Sequence, residues 1–199
     1  MHSEGVRRRA LAWLALAAAL GLLGAALDQI HVQSGVLAYP DPAWWDQAWW
    51  VPLNFAVLLT SLVAVTIGLA RIGEPLLEGT ATPTNGALAA DFAWFAGAYA
   101  LSGLVAPERP GLLAATYLAL WAARIAVRSD RRFLLPYGIA LAIAGCTVEA
   151  VEIAFGWFSY ADPGIAGVPL WLAGIYLHGA PLALGVARRL GGFAAPPHG

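Results

Sequence analysis

Two glutamates three residues apart, Glu149 and Glu152, lie inside one long apolar stretch, and His178 lies inside the next. Helical spacing puts both acids on nearly one face, which continues through Gly145 and Gly156 as a stripe of small and acidic residues. In lipid, an ionised acid costs about 2.5–3.5 kcal/mol at mid-depth, so such a face turns inward, where carboxyls are protonated or paired. Asp28, Gln29 and His31 at the end of the first apolar stretch, with Asn54 near the start of the second, complete a polar group in one membrane half. Several chemistries fit this group. One is an internal hydrogen-bonded network that ties helices together. Another is the polar mouth of a lipid-binding cavity, meeting a hydroxyl or ester. A third is acid/base catalysis by Glu149, Glu152 or His178, in which a carboxyl kept protonated in a dry pocket protonates an alkene or a leaving group. The last is a proton or ion path.

The elements that must hold these residues are membrane helices. The chain has 199 residues, 60% hydrophobic and only 12% charged, far from a soluble balance. Six stretches are long and apolar enough to be read as spans: 10–27, 51–70, 87–106, 111–127, 133–155 and 167–187. The first is too long for the apolar core of a signal peptide and is read as a span despite Arg7, Arg8 and Arg9 before it. The expectation is one integral membrane domain over residues 1–199, an all-α bundle of six transmembrane helices. Pro52, Pro136 and Pro169 sit near helix starts, and Pro75, Pro107 and Pro110 in turns. Pro181 alone falls inside a span, where it cannot donate to the carbonyl of Leu177 and predicts a kink.

Arginine sets the orientation. Arg7 to Arg9, Arg71, Arg124, Arg128, Arg131, Arg132, Arg188 and Arg189 fall on one side and only Arg109 on the other, which predicts cytoplasmic termini, in a bacterial inner membrane. On that orientation Glu152 lies within about two turns of the non-cytoplasmic helix end. The first outer loop carries Trp44, Trp45, Trp49 and Trp50, read as an interfacial segment or, alternatively, an aromatic lid over a ligand entrance. Asp91 stands apart, near the cytoplasmic start of the third span.

Other functions are excluded by what is missing. All 11 basic residues are arginine, so no lysine is present for a Schiff base. A net charge of -1 gives no general attraction to nucleic acid. There is no phosphate-binding glycine loop, no metal-ligand spacing and no nucleophile elbow, and no cofactor is expected. Cys146 is read as a small buried filler. No sequence repeat is evident, although six spans leave room for a weak structural one. Small-residue faces, Gly97 with Gly103 and Gly174 with His178, permit a homo-oligomer without specifying one.

The chain resembles the Insig family of membrane sterol sensors. The matching features are Trp49-Trp50-Val51-Pro52, Gly73-Glu74-Pro75, Asp91-Phe92, the Asp130-Arg131 turn, Gly156 through Tyr160, Trp171, Gly179 and Arg188-Arg189-Leu190. They are short matches in a consistent order from Trp49 to Leu190. The resemblance implies a central, lipid-accessible cavity built largely from the first five helices and holding a sterol-like lipid or diacylglycerol. With the polar group above, it makes Asn54, Phe92, Glu149, Glu152 and His178 the expected ligand-binding residues. It puts Asp130 where animal members carry a partner-sensitive Asp, although a plain solvated turn residue is the other reading. Glu149 and Glu152 fall where animal members are uncharged. The composition looks bacterial, so no Scap-like partner is expected, and diacylglycerol is favoured over an oxysterol. Glu-x-x-Glu followed by Gly-Trp-Phe-Ser-Tyr, Asp162 and Gly167-Val168-Pro169 is also similar to bacterial carotenoid hydratases, which would make the chain an enzyme acting on a polyisoprenoid through those acids.

Overall fold

A computed structural model describes residues 2–106 and 108–191, leaving aside the side chains of His2, Ser3, Val6 and Arg9. Pro107, expected in a turn, lies outside the described residues. Six helices follow one another: α1 (His2–Gln33), α2 (Val51–Ile72), α3 (Asn85–Val105), α4 (Pro110–Ala126), α5 (Arg131–Ala154) and α6 (Leu172–Leu190). Two short strands, β1 (Leu37–Ala38) and β2 (Ser159–Tyr160), pair antiparallel between the α1–α2 and α5–α6 loops. Local chemistry sets several helix starts. Pro52 and Pro110 occupy first-turn positions that need no amide hydrogen, and the Thr84 hydroxyl accepts from Ala87 N at 3.2 Å to cap α3. Pro136 lies inside α5, five residues after its start, and Pro181 lies inside α6 as expected.

Four helices, α1 from Ala10 onward, α2, α3 and α5, are long and apolar enough to cross a membrane. Their outer faces carry bare Leu14, Val57, Leu104 and Ile143, a normal surface against acyl chains. α4 is apolar but shorter. α6 begins five residues later than the sequence suggests and is the most enclosed helix, packed against α2, α3, α4 and α5. Its polar and small residues are tolerated because it meets protein rather than lipid. Gly174 receives the ring of Tyr117, Gly179 that of Phe95, and Gly185 the side chain of Leu88. Close approach of this kind replaces the hydrophobic effect as the source of cohesion between membrane helices. The small residues Gly174 and Gly103, read above as faces for self-association, are thus spent within the chain; Gly103 seats Ile30. Gly97 remains open.

The structure shows a duplication of the weak, structural kind that the sequence left open without locating it. At one constant offset, the one that takes Asp28 to Glu149, Gly24 maps to Gly145, Gly35 to Gly156, Tyr39 to Tyr160, Asp41-Pro42 to Asp162-Pro163 and Trp50 to Trp171. The geometry repeats with the letters. Gly35 and Gly156 have φ of 71° and 73°, Trp45 and Ala166 of 49° and 54°, and Asp46 and Gly167 of 64° and 84°. The isolated bridges Trp44–Gln47 and Ile165–Val168 correspond, and Ala38 pairs with its own counterpart, Ser159. Gly24 seats Phe55 and Gly145 seats Tyr176, again at the same offset. The hairpins α1–α2 and α5–α6 are therefore two copies of one unit, joined about a local pseudo-twofold, with α3–α4 between them in the chain.

Candidate functional site

The duplicated loops gather the outer polar group. Asp28 Oδ2 accepts from Tyr39 Oη at 2.8 Å and from Gln47 Nε2 at 2.8 Å. Glu149 accepts from Tyr160 Oη at 2.5 Å on one oxygen and from Tyr176 Oη at 2.7 Å on the other. Glu152 Oε1 accepts from Asn54 Nδ2 at 2.9 Å, tying α5 to α2. His31 Nε2 lies 2.6 Å from Ser102 Oγ, tying α1 to α3. Among the described residues, every donor bonded to these acids is neutral. Burial lifts the Tyr39 and Tyr160 hydroxyls above the ordinary phenol range, and the neighbouring carboxyls of Asp28 and Glu149 lift them further. Both phenols therefore stay protonated and serve as donors.

A second feature lies on another side of α6. A groove of about 500 Å³ runs between α3 and α4, walled by Ala93, Trp94, Gly97, Leu101 and Leu120, with His178 on its floor. Trp94 stacks parallel to His178 at 5.9 Å between ring centroids. His178 is 1% exposed, and its Nε2 is 3.2 Å from the carbonyl of Tyr117. A carbonyl can only accept, so Nε2 carries the hydrogen and Nδ1 is left as a buried lone pair without a partner among the described residues.

The arginine-rich end is built by ion pairs. Asp91 meets Arg124 and Arg128, the latter at 3.1 Å, and Arg128 holds both oxygens of Asp130 at 2.8 and 2.9 Å. Those bonds to Asp130 are the main reason the Arg128 guanidinium is held above its ordinary value. Arg124 also lies 5.5 Å from the Trp94 ring centroid, which links this cluster to the groove.

The residues expected to share one ligand site thus separate. Asn54 and Glu152 bond each other, and Glu149 lies close by on the same helix. His178 is placed at the α3–α4 groove instead. Phe92 is half-buried on α3 and does not line that groove. Asp91 stands apart from the outer polar group, as expected, paired with Arg124 and Arg128, and Asp130 is only 7% exposed rather than solvated, bound within its own chain. The centre of the bundle is occupied by α6, and the groove draws on α3, α4 and α6. Sequence reading missed Tyr39, Gln47, Ser102, Tyr160 and Tyr176. Tyr39 and Tyr160 had a usable signal, their matching place after Asp28 and Glu149.

Taken together, the fold defines an all-helical, multi-pass integral membrane protein made of two equivalent hairpins and an intervening one. No family model matches the chain, and no curated protein matches it significantly. Its fold is that of a bacterial Insig homologue. The crystal structure of the Insig homolog MvINS from Mycobacterium vanbaalenii superposes with a TM-score of 0.61 at 23% identity, covering 86% of this chain and 91% of that one. The cross-linked trimer of an arginine-to-cysteine variant of MvINS superposes with a TM-score of 0.63 at 24% identity, covering 92% of this chain and 96% of that one.

Proposed function

We propose that the chain is an Insig-type protein of a bacterial inner membrane, with cytoplasmic termini, that binds a hydroxyl-bearing lipid in the α3–α4 groove. Diacylglycerol is the favoured occupant and a sterol-like molecule the other. The observation that carries this reading is an otherwise apolar groove lined by His178, whose buried Nδ1 has no partner among the described residues. An orphaned buried acceptor costs about 1–3 kcal/mol, and a lipid hydroxyl would donate to it while acyl chains cover Trp94, Leu101 and Leu120. The outer acids serve as ties between helices. The polyisoprenoid-enzyme reading has less to rest on, because both oxygens of Glu149 are already engaged by tyrosines.

The test compares retention of diacylglycerol with that of its acetylated counterpart, which lacks the hydroxyl, by mass spectrometry of protein released gently from micelles. The wild type should retain diacylglycerol preferentially. His178→Phe, which keeps a ring but removes the lone pair, should bind it about tenfold more weakly, the worth of one good hydrogen bond. Equal retention of both lipids, or an unchanged affinity in His178→Phe, overturns the reading.

A further inference from the structure

Among the described residues, a buried cation at the arginine-rich end has no counter-charge of its own. Arg188, near the end of α6, is 6% exposed, yet among those residues it makes a single hydrogen bond, from Nη2 to the carbonyl of Thr80 at 2.8 Å, and its Nε has no partner. The two nearby carboxylates are already taken: Asp91 is held by Arg124 and Arg128, and Asp130 is held on both oxygens by Arg128. Two acids thus balance two arginines and leave Arg188 in excess. A largely buried guanidinium whose Nε finds no acceptor is costly unless an anion completes it.

A cavity for such an anion adjoins it. A space of about 390 Å³ is bounded by Thr80, Thr84, Arg128, Ser129, Asp130 and Arg188. The N-terminus of α3 opens on the same space through Thr84 and Ala87, so the positive end of a helix dipole reinforces the cation. The wall that Asp130 contributes repels an anion less than it seems, because Arg128 screens both of its oxygens. Arginine presents several N–H donors in one plane, which suits a tetrahedral oxyanion better than chloride. We propose that this cavity binds a phosphate group, with Arg188 as its principal donor, the Thr80 and Ser129 side chains at its edge and the α3 N-terminus behind it. This site is separate from the lipid groove and stands whether or not that groove is filled.

The phosphate has two sources, a free ion or a lipid headgroup, and melting temperature separates them. Detergent-solubilised protein is compared in sodium phosphate and in sodium chloride of equal ionic strength, and protein in phosphatidylcholine nanodiscs is compared with and without phosphatidic acid. Binding at about a hundred times the dissociation constant should raise the melting temperature by about 5 °C or more. A rise in phosphate buffer identifies the free ion; a rise with phosphatidic acid alone identifies the headgroup. Arg188→Gln should abolish whichever response is seen, and Arg189→Gln, on the exposed neighbour, should not. Because Arg188→Gln could fail to fold, Ser129→Asp serves as a second variant. It puts a negative charge on the exposed rim, leaves Arg188 in place, and should also remove the response. Melting that is the same in phosphate and chloride, and with and without phosphatidic acid, overturns the proposal, as does a response that survives both variants.

Discussion

Glu149 sits where two tyrosine hydroxyls converge, so its replacement strands donors rather than merely removing a charge. Glu149→Leu leaves Tyr160 and Tyr176 unpaired and should cost about 2–5 kcal/mol, whereas Glu149→Gln keeps one acceptor and should cost about half as much. Thermal unfolding in detergent checks this; a leucine variant that melts like the wild type removes the tying role. At the opposite end, Asp91→Ala should be more damaging, about 3–5 kcal/mol, because it leaves the Arg124 side chain, 8% exposed, without its carboxylate. Arg128 retains Asp130 in that variant, and Arg128→Ala leaves Asp91 with Arg124, so the two single changes should not add in a double-mutant cycle. Spacing alone showed that Asn54, Glu149 and Glu152 belong together, since face and depth follow from helix geometry. It misplaced His178 for an equally physical reason. α6 meets protein on most of its sides, so its own pattern does not tell which neighbour a given side chain meets.

At the scale of elements, the glycines of the two equivalent hairpins act as seats for rings, and the duplication predicts that they behave alike. A methyl group at Gly24 would meet Phe55, and one at Gly145 would meet Tyr176, each at a separation no real contact allows. Gly24→Ala and Gly145→Ala should each lower stability by about 1–3 kcal/mol, measured as a falling melting temperature. Gly97 is the contrast, with nothing within 4 Å. Gly97→Leu should fold normally yet occupy the groove and reduce diacylglycerol retention, so loss of fold with that change would count against the open groove. The existence of the helices was legible because length and hydropathy suffice to recognise a membrane-crossing segment. The duplication was harder to see, because its matches are single residues scattered among aliphatic letters that any membrane helix contains. The shared positive φ values, the corresponding bridges and the pairing of β1 with its counterpart β2 give those matches their weight.

For the whole molecule, the orientation proposed from the uneven distribution of arginine and tryptophan can be tested directly. With Cys146 replaced by Ser, a cysteine at the exposed Ser129 should react with a membrane-impermeant maleimide only in inside-out vesicles, and one at the exposed Trp45 only in right-side-out ones. The reverse pattern would invert the topology proposed for the chain. The central place of α6 bears also on how the protein is made. It follows in synthesis all four helices that pack around it, and it is not among the helices apolar enough to cross a membrane by composition. Synthesis therefore delivers the keystone after the arch, and what holds α6 in place is contact with the helices made before it rather than its own hydropathy. Substitutions that weaken that contact should lower the yield of folded protein recovered from membranes, before any question of ligand arises.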